Sequence, residues 1–398
     1  MNKDQAVSFN EAISLSLGLA ITKPHLEWVS IVEALGRTLA RKIVCKKNLP
    51  SYNNAALDGF AFKYRENLSE LHIKTTILAG NVIEPCLKEQ ECYKIMTGAK
   101  VPDDADTIIP FEDCSFYDET KIVLPSCVKK GNALRLKGEE ERVGAPLLEE
   151  GICLSSREIA LLASQGISMI EVYRKLQIAV FSTGDELKSP WDIANEDEIY
   201  DINTLSLISL LAEHGFVAHN CGVIPDNLEA ATAYFAGMKQ YDVLVTSGGV
   251  SMGEADFVEQ ALLNNGLSAS FHGINIKPGK PTMMGKMGTT VVASMPGNPL
   301  AAYVNAFLFL IPLLKKLQGQ KKFNFKGVNV RNAETFKVKS GRVNLVLGSY
   351  KEGKFYVFGA NKYGSGMINP LIHSNALWIS DEKISTVETE QEIQILFF

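Results

Sequence analysis

The spacing of apolar and polar positions changes several times along this chain, and each change marks a different kind of structure. Residues 8 to 45 follow a helical period. Ser8 or Asn10 can cap a first helix, and Ile31, Leu35 and Leu39 recur at four-residue steps as on the face of a second. From about Asn48 to Pro125 the texture becomes short β-like runs broken by Gly, Pro and Asp. Thr75-Thr-Ile-Leu, Cys92-Tyr-Lys-Ile-Met and Thr107-Ile-Ile are examples, and they predict a β-rich module. Helical spacing returns at Ser156-Arg-Glu-Ile-Ala-Leu-Leu-Ala-Ser-Gln, with Ser155 or Ser156 as cap and Gly166 as stop. This order is what a β-rich domain at 49–142 would give if inserted into a discontinuous linking domain of 1–48 and 143–175.

From Leu176 the pattern alternates. Strands are predicted at Leu176–Ser182, Phe216–Cys221, Val243–Thr246 and Thr289–Ser294. Helices are predicted at Asn203–His214, Leu228–Lys239, Ala255–Asn264 and Pro299–Leu317, the last with Pro in its first turn. Strands and helices at this spacing predict a doubly wound α/β domain over 176–325, its parallel sheet covered on both faces. Ligands of such sheets bind outside the carboxyl ends of the strands. After about Phe323 the chain returns to short glycine-punctuated strands, a small β domain at 326–398.

The candidate chemistry sits at those strand ends. Asp242-Val-Leu-Val-Thr-Ser-Gly-Gly-Val-Ser-Met-Gly-Glu-Ala-Asp256 runs from strand through a three-glycine turn into a helix, so its backbone N–H groups can close around an anion. Glu254 and Asp256 at its mouth would repel phosphate unless a cation bridges them, which points to a phosphorylated ligand held with Mg²⁺. Ser182-Thr-Gly-Asp-Glu186 and Ser294-Met-Pro-Gly-Asn-Pro299 occupy the same edge. Either alone reads as a turn or cap; three segments at one edge read as a site. Ile276-Lys-Pro-Gly-Lys-Pro281 holds two lysines on a proline-stiffened turn, a clamp for an oxyanion or a plain basic surface turn. Asp201 and Asn203 can cap a helix, and Asp226 carries the same ambiguity. In the β-rich module Asp58-Gly59 reads as a turn and Thr97-Gly98 as a strand end.

Bulk properties narrow the classes. A net charge of −5, with no basic run longer than short pairs such as Lys129-Lys130, argues weakly against a general nucleic-acid binder. Seven scattered cysteines without a C-x-x-C pair fit reduced thiols in a cytoplasm. The start lacks the grammar of a secretion signal, and the most apolar stretch, Ala306 to Leu314, is too short to span a bilayer. No histidine pair has metal-ligand spacing.

Taken together, the segments resemble the molybdopterin molybdenumtransferase family, which includes bacterial MoeA and the gephyrin E domain. The resemblance runs from Pro50 to about residue 380. It rests on Ala56-Leu-Asp-Gly-Phe-Ala61, Met96-Thr-Gly-Ala-Lys-Val-Pro102, Arg135-Leu-Lys-Gly-Glu-Glu140, Ser182-Thr-Gly-Asp-Glu-Leu187, Ile199-Tyr-Asp-Ile-Asn203, Thr246 to Asp256, Lys277-Pro-Gly-Lys-Pro281 and Pro296-Gly-Asn-Pro299. It implies four domains, the third of molybdopterin-binding type and the last a small β-barrel. It also implies a homodimer with the active site in a cleft between subunits. The implied reaction delivers molybdate to adenylylated molybdopterin and hydrolyses the AMP link with Mg²⁺. Carried over by position, Asp58, Thr97, Glu186, Asp226 and Asp256 are the expected catalytic set, with Glu186, Asp226 and Asp256 holding the metal. Substrate is expected at Ser182, Thr183, Gly184, Asp201, Asn203, Ser247, Gly248, Gly249, Gly253, Lys277, Lys280, Pro296, Gly297 and Asn298. A transient partner would be the molybdopterin adenylyltransferase.

Some positions depart from the family pattern. Ala55-Ala-Leu-Asp-Gly-Phe60 replaces the usual Ser-Ala-Met-Asp-Gly-Tyr, losing two hydroxyls. Gly138-Glu-Glu140 replaces Gly-Glu-Asp, and Leu347 replaces the second arginine that usually follows Gly341-Arg342. Two other readings compete. An adenylyltransferase would carry Gly-Gly-Thr-Gly where this chain has Gly248-Gly249-Val250-Ser251, and its single domain would leave over half the chain unexplained. A non-catalytic scaffold of the same fold would have no need of the acid set.

Overall fold

The computed structural model describes residues 6–21, 24–224, 227–249 and 257–398. The chain divides into two compact units, Lys42–Glu149 with Ala160–Ser168, and Met1–Arg41 with Glu150–Ile159 and Met169–Phe398.

The smaller unit is built on a six-stranded sheet ordered Thr107–Pro110, Gly59–Phe62, Glu91–Ile95, Glu70–Ile77, Lys121–Val123, Phe116–Tyr117. Its two faces bury separate clusters, one around Tyr93, Ile95 and Ile108, the other around Phe60, Phe62 and Ile122. Alternate residues of each strand divide between them, as a pleated strand requires.

The larger unit holds the α/β sheet. Its strands are β1 (Ile178–Thr183), β2 (Ala218–Ile224), β3 (Val243–Ser247), β4 (Leu267–His272), β5 (Met283–Met287) and β6 (Thr290–Met295), in spatial order β2-β1-β3-β6-β5-β4. The first four in that order run parallel, and β5 and β4 each add on by antiparallel pairing. The parallel core matches the sequence reading; the two added strands, of which β5 runs against the core and β4 with it, were not anticipated from it. Helices α1 (Phe9–Gly18), α2 (Ile202–Glu213), α3 (Leu228–Ala236), α4 (Phe257–Asn264) and α5 (Pro299–Leu317) cover both faces. Ile178, Val180, Val243 and Val245 pack with α2 and α5, while Ala179, Phe181 and Leu244 pack with α3 and α4.

Caps explain where these helices begin. The Ser8 hydroxyl accepts from the Glu11 N–H, and Asp201 and Asn227 do the same for α2 and α3. The Ser155 N–H donates to the Glu158 carboxylate at 2.8 Å and the Ser155 hydroxyl accepts from the Arg157 N–H at 3.3 Å, a variant of the capping box for the helix at Ser156–Ser164. The second helix expected before residue 45 is absent. Leu26–Ser30 is instead a strand paired with Met169–Tyr173, followed by one 3₁₀ turn at Ile31–Glu33. The helical spacing misled because Val32 and Leu35 lie on the surface while Leu39 is buried, so no common face exists.

The expectation about length also fails for α5. Its 19 residues are long and apolar enough to cross a bilayer, but most of them are buried inside the unit, and the helix is the core of the larger cluster. A π turn at Ala306–Leu310 interrupts it just before Pro312, whose ring offers no N–H to the ladder.

The C-terminal strands Val343–Lys351, Lys354–Val357, Val328–Asn332, Glu392–Phe397 and Ala376–Ile379 pair in sequence, and the last returns to the first. That closure makes a small barrel around Val346, Phe355, Trp378 and Ile395. Ile276–Lys277 attaches to it as a parallel strand beside Val343–Asn344.

Candidate active site

Parallel register brings the strand ends together: Ser182 lies opposite Ser247, and Ser247 opposite Met295. The loops that follow are cross-tied. The Thr183 hydroxyl donates to the Ser247 carbonyl at 3.3 Å, and the Gly248 N–H to the Met295 carbonyl at 3.1 Å. From the first turn of α2, Asn203 Nδ2 donates to the Ser247 hydroxyl at 2.8 Å and to the Gly297 carbonyl at 2.7 Å. The Ser247 hydroxyl in turn donates to the Pro296 carbonyl at 3.3 Å. One side chain thus fastens two of the three loops.

Two glycines permit this closeness. Gly248 and Gly249 have φ of +85° and +68°, and a Cβ on them would lie 2.6 Å from Thr183 Oγ1 and 2.5 Å from Val258 Cγ2 respectively. Polar atoms at this edge remain unspent. Among the described residues, Ser182 Oγ and Asn203 Oδ1 are buried without a hydrogen-bond partner, polar capacity that the described fold leaves unused. Asp201 takes the bland role in geometry, accepting from the Thr204 N–H at 3.1 Å. Glu186 is exposed, its carboxylate folded over Gly184 and its carbonyl accepting from the Ile199 N–H at 2.9 Å. Asp226, Gly253 and Asp256 lie outside the described residues.

The lysine turn opens on a cavity of about 620 Å³. Lys277, Lys280 and Asn298 line it, joined from the barrel side by Lys337, Lys339, Arg342, Asn361, Tyr363 and Ser365. Among the described residues no carboxylate lines it, so this lining is basic although the whole chain is acidic. Asn344 shapes the far wall: its amide donates to the Lys339 and Arg342 carbonyls at 2.9 and 3.1 Å. Asn298 Nδ2 donates to Ser365 Oγ at 2.9 Å and closes the rim. The sequence reading missed Lys337, Lys339 and Ser365. The Lys-x-Lys-x-x-Arg spacing was there to be seen, but nothing local says that a barrel folds it against Lys277. Leu347, where an arginine was expected, is fully buried in the barrel wall, its N–H donating to the Tyr363 hydroxyl at 2.7 Å.

In the smaller unit Asp58 and Thr97 do meet. Gly59 pairs with Ile95, so the residue before one strand faces the loop after the other. Thr97 donates both its N–H and its hydroxyl to Asp58 Oδ1, each at 2.7 Å. These bonds, the Thr97 N–H first and its hydroxyl second, hold the Asp58 carboxyl below the ordinary aspartate value and favour its charged form as an exposed acceptor. Arg135 pairs with Glu139 and Glu140 at 2.9 and 3.7 Å, so that motif is internally neutralised.

Against known protein families, residues 7–166 match the MoeA N-terminal region (domain I and II), 179–316 the probable molybdopterin binding domain, and 329–398 the MoeA C-terminal region (domain IV). The molybdopterin molybdenumtransferase of Haemophilus influenzae is 32% identical over 383 residues, 93% of each chain. The chain belongs to the molybdopterin molybdenumtransferase family. A MoeA protein from Pyrococcus horikoshii superposes with a TM-score of 0.85 at 25% identity, covering 99% of this chain and all of that one. Gephyrin of Dictyostelium discoideum is 30% identical over 339 residues, 74% of this chain and 47% of its own length. Within this transferase family, the strand-end loops fall in the segment matched by the molybdopterin binding domain, and the cationic cavity adds residues from the segment matched by domain IV.

Proposed function

We propose that this chain inserts molybdate into adenylylated molybdopterin and releases AMP in a Mg²⁺-dependent step. Family membership supports the transferase and the molybdopterin substrate. The observation that carries the rest is the pairing of two sites in one unit: a cross-tied loop edge with unspent polar atoms, and a cationic cavity that shares the Pro296–Asn298 loop. A diphosphate and a molybdate are both anions, so a site that joins them needs fixed positive charge and N–H donors to offset their repulsion. Lys277, Lys280, Arg342 and the barrel lysines supply the charge for molybdate.

Mg²⁺ takes oxygen ligands in an octahedral shell and keeps several waters. The donor chemistry here fits it: Glu186 is an exposed carboxylate, and Ser182 Oγ and Asn203 Oδ1 are spare neutral oxygens at the same strand-end edge. Glu186 with Asp226 and Asp256 would hold the ion, and when bound it would neutralise the diphosphate. Asp58, kept ionised by Thr97, serves as a charged hydrogen-bond acceptor. The reading includes a homodimer with its cleft between subunits, a transient complex with the adenylyltransferase, and a reducing cytoplasmic setting compatible with seven unpaired cysteines.

The test is AMP release from adenylylated molybdopterin by the purified protein, with and without molybdate and Mg²⁺. Molybdate-dependent release is expected, with Glu186→Ala or Asp256→Ala lowering it by at least about 100-fold at unchanged fold. Absence of any molybdate-dependent release returns the chain to a scaffold role.

A further inference from the structure

We infer that Asn305 is a positioning residue for the lysine turn, setting the separation at which Lys277 and Lys280 present their charges to a tetrahedral oxyanion. The inference rests on the clamp reading given above. Asn305 lies on α5, fully buried, immediately before the π turn. Its Nδ2 donates to the Gly279 carbonyl at 2.9 Å and to Thr282 Oγ1 at 2.6 Å. Thr282, equally buried, donates its hydroxyl to the same carbonyl at 2.9 Å. The three groups form a closed polar triangle against the apolar core of the unit.

The triangle acts where the backbone leaves the turn unsupported. On one side, Ile276–Lys277 is fixed by pairing with Val343–Asn344. On the other, the Lys280 carbonyl accepts from the Ile274 and Thr282 N–H groups, each at 2.9 Å. Gly279, between the lysines, has φ of +101°, and its carbonyl is held by Asn305 and Thr282 side chains. Contact there is so close that a Cβ would lie 2.1 Å from Asn305 Nδ2. Both lysines are exposed, and among the described residues neither has an ion-pair partner, so only the turn's backbone fixes where their charges project. Removing the Asn305 amide takes away one of the two donors on the Gly279 carbonyl and the donor that orients the Thr282 hydroxyl, and the turn relieves that cost by moving. The shift would change oxyanion affinity and leave the reacting groups at the strand ends in place.

The experiment measures AMP release against molybdate concentration for Asn305→Leu, Thr282→Val, Thr282→Ser, Lys277→Ala and the Asn305→Leu/Lys277→Ala double variant. Loss of the donor should raise half-saturating molybdate about tenfold, with saturating turnover within about twofold of the parent. Thr282→Val should behave alike, Thr282→Ser should restore parental behaviour, and the double variant should match Lys277→Ala alone, since both act through one turn. The inference is overturned if Lys277→Ala raises half-saturating molybdate while Asn305→Leu and Thr282→Val leave it unchanged or lower only turnover. If Lys277→Ala itself has no effect, the clamp reading fails first. Should Asn305→Leu not fold, the Thr282 pair decides alone.

Discussion

At the scale of single residues, the site is held by short polar contacts whose removal has a definite sign. Thr97 stabilises the charged form of Asp58, so Thr97→Val should move the Asp58 titration midpoint up toward 3.8, as carboxyl NMR would record; a midpoint that stays put would show that the contact carries no energy. Gly248→Ala should cost about 1–3 kcal/mol in a denaturant titration, because its positive φ and the 2.6 Å approach to Thr183 both forbid a Cβ. Asp201 separates two roles cleanly. Asp201→Asn keeps a cap on α2 and should leave stability within about 0.5 kcal/mol, whereas Asp201→Ala should lose about 1 kcal/mol. Any loss of turnover in Asp201→Asn at full stability would then belong to the charge and to substrate.

At the scale of elements, helix α2 and helix α5 meet at His214, which packs against Phe307 and Phe325. Burial, with help from the nearby Lys315 charge, pushes its pKa down to about 4. The unfolded chain therefore takes up a proton near pH 6.5 that the folded state refuses until about pH 4. Stability should be level above pH 6.5 and fall through that window as acid is added. In His214→Phe the window's contribution should vanish, measured as urea midpoints at pH 7.5 and 5. What the sequence disclosed about elements follows the same physics of burial. Val243–Ser247 and Thr290–Met295 are buried along their whole length and carry apolar runs because both faces are covered, and capping residues marked where α2 begins. β4 alternates Leu267, Ala269 and Phe271 over only six residues and was passed over, while β5 is Met-Met-Gly-Lys-Met and carries no alternation. Leu26–Ser30 was hidden because its partner, Met169–Tyr173, lies far along the chain, and no local pattern encodes such a pairing.

At the scale of the whole molecule, a net charge of −5 coexists with a cavity whose charged lining, among the described residues, is cationic. Close charges outweigh distant ones within about 10 Å at 0.1 M salt. Half-saturating molybdate should therefore rise several-fold between about 0.05 and 0.5 M salt, and a fall would mean that long-range repulsion governs entry. The strand-end half of the site was legible because its loops follow strands in sequence; the cationic wall was not, because it comes from a barrel that only the fold places there. The strand at Ile276–Lys277 belongs to the sheet of that barrel while its turn belongs to the neighbouring α/β layer. A shortened protein ending near residue 325 would consequently not be a tidy molybdopterin-binding fragment. It would carry a bare two-residue edge with unpaired N–H and C=O groups, half a vestibule, and a tendency to self-associate through that edge.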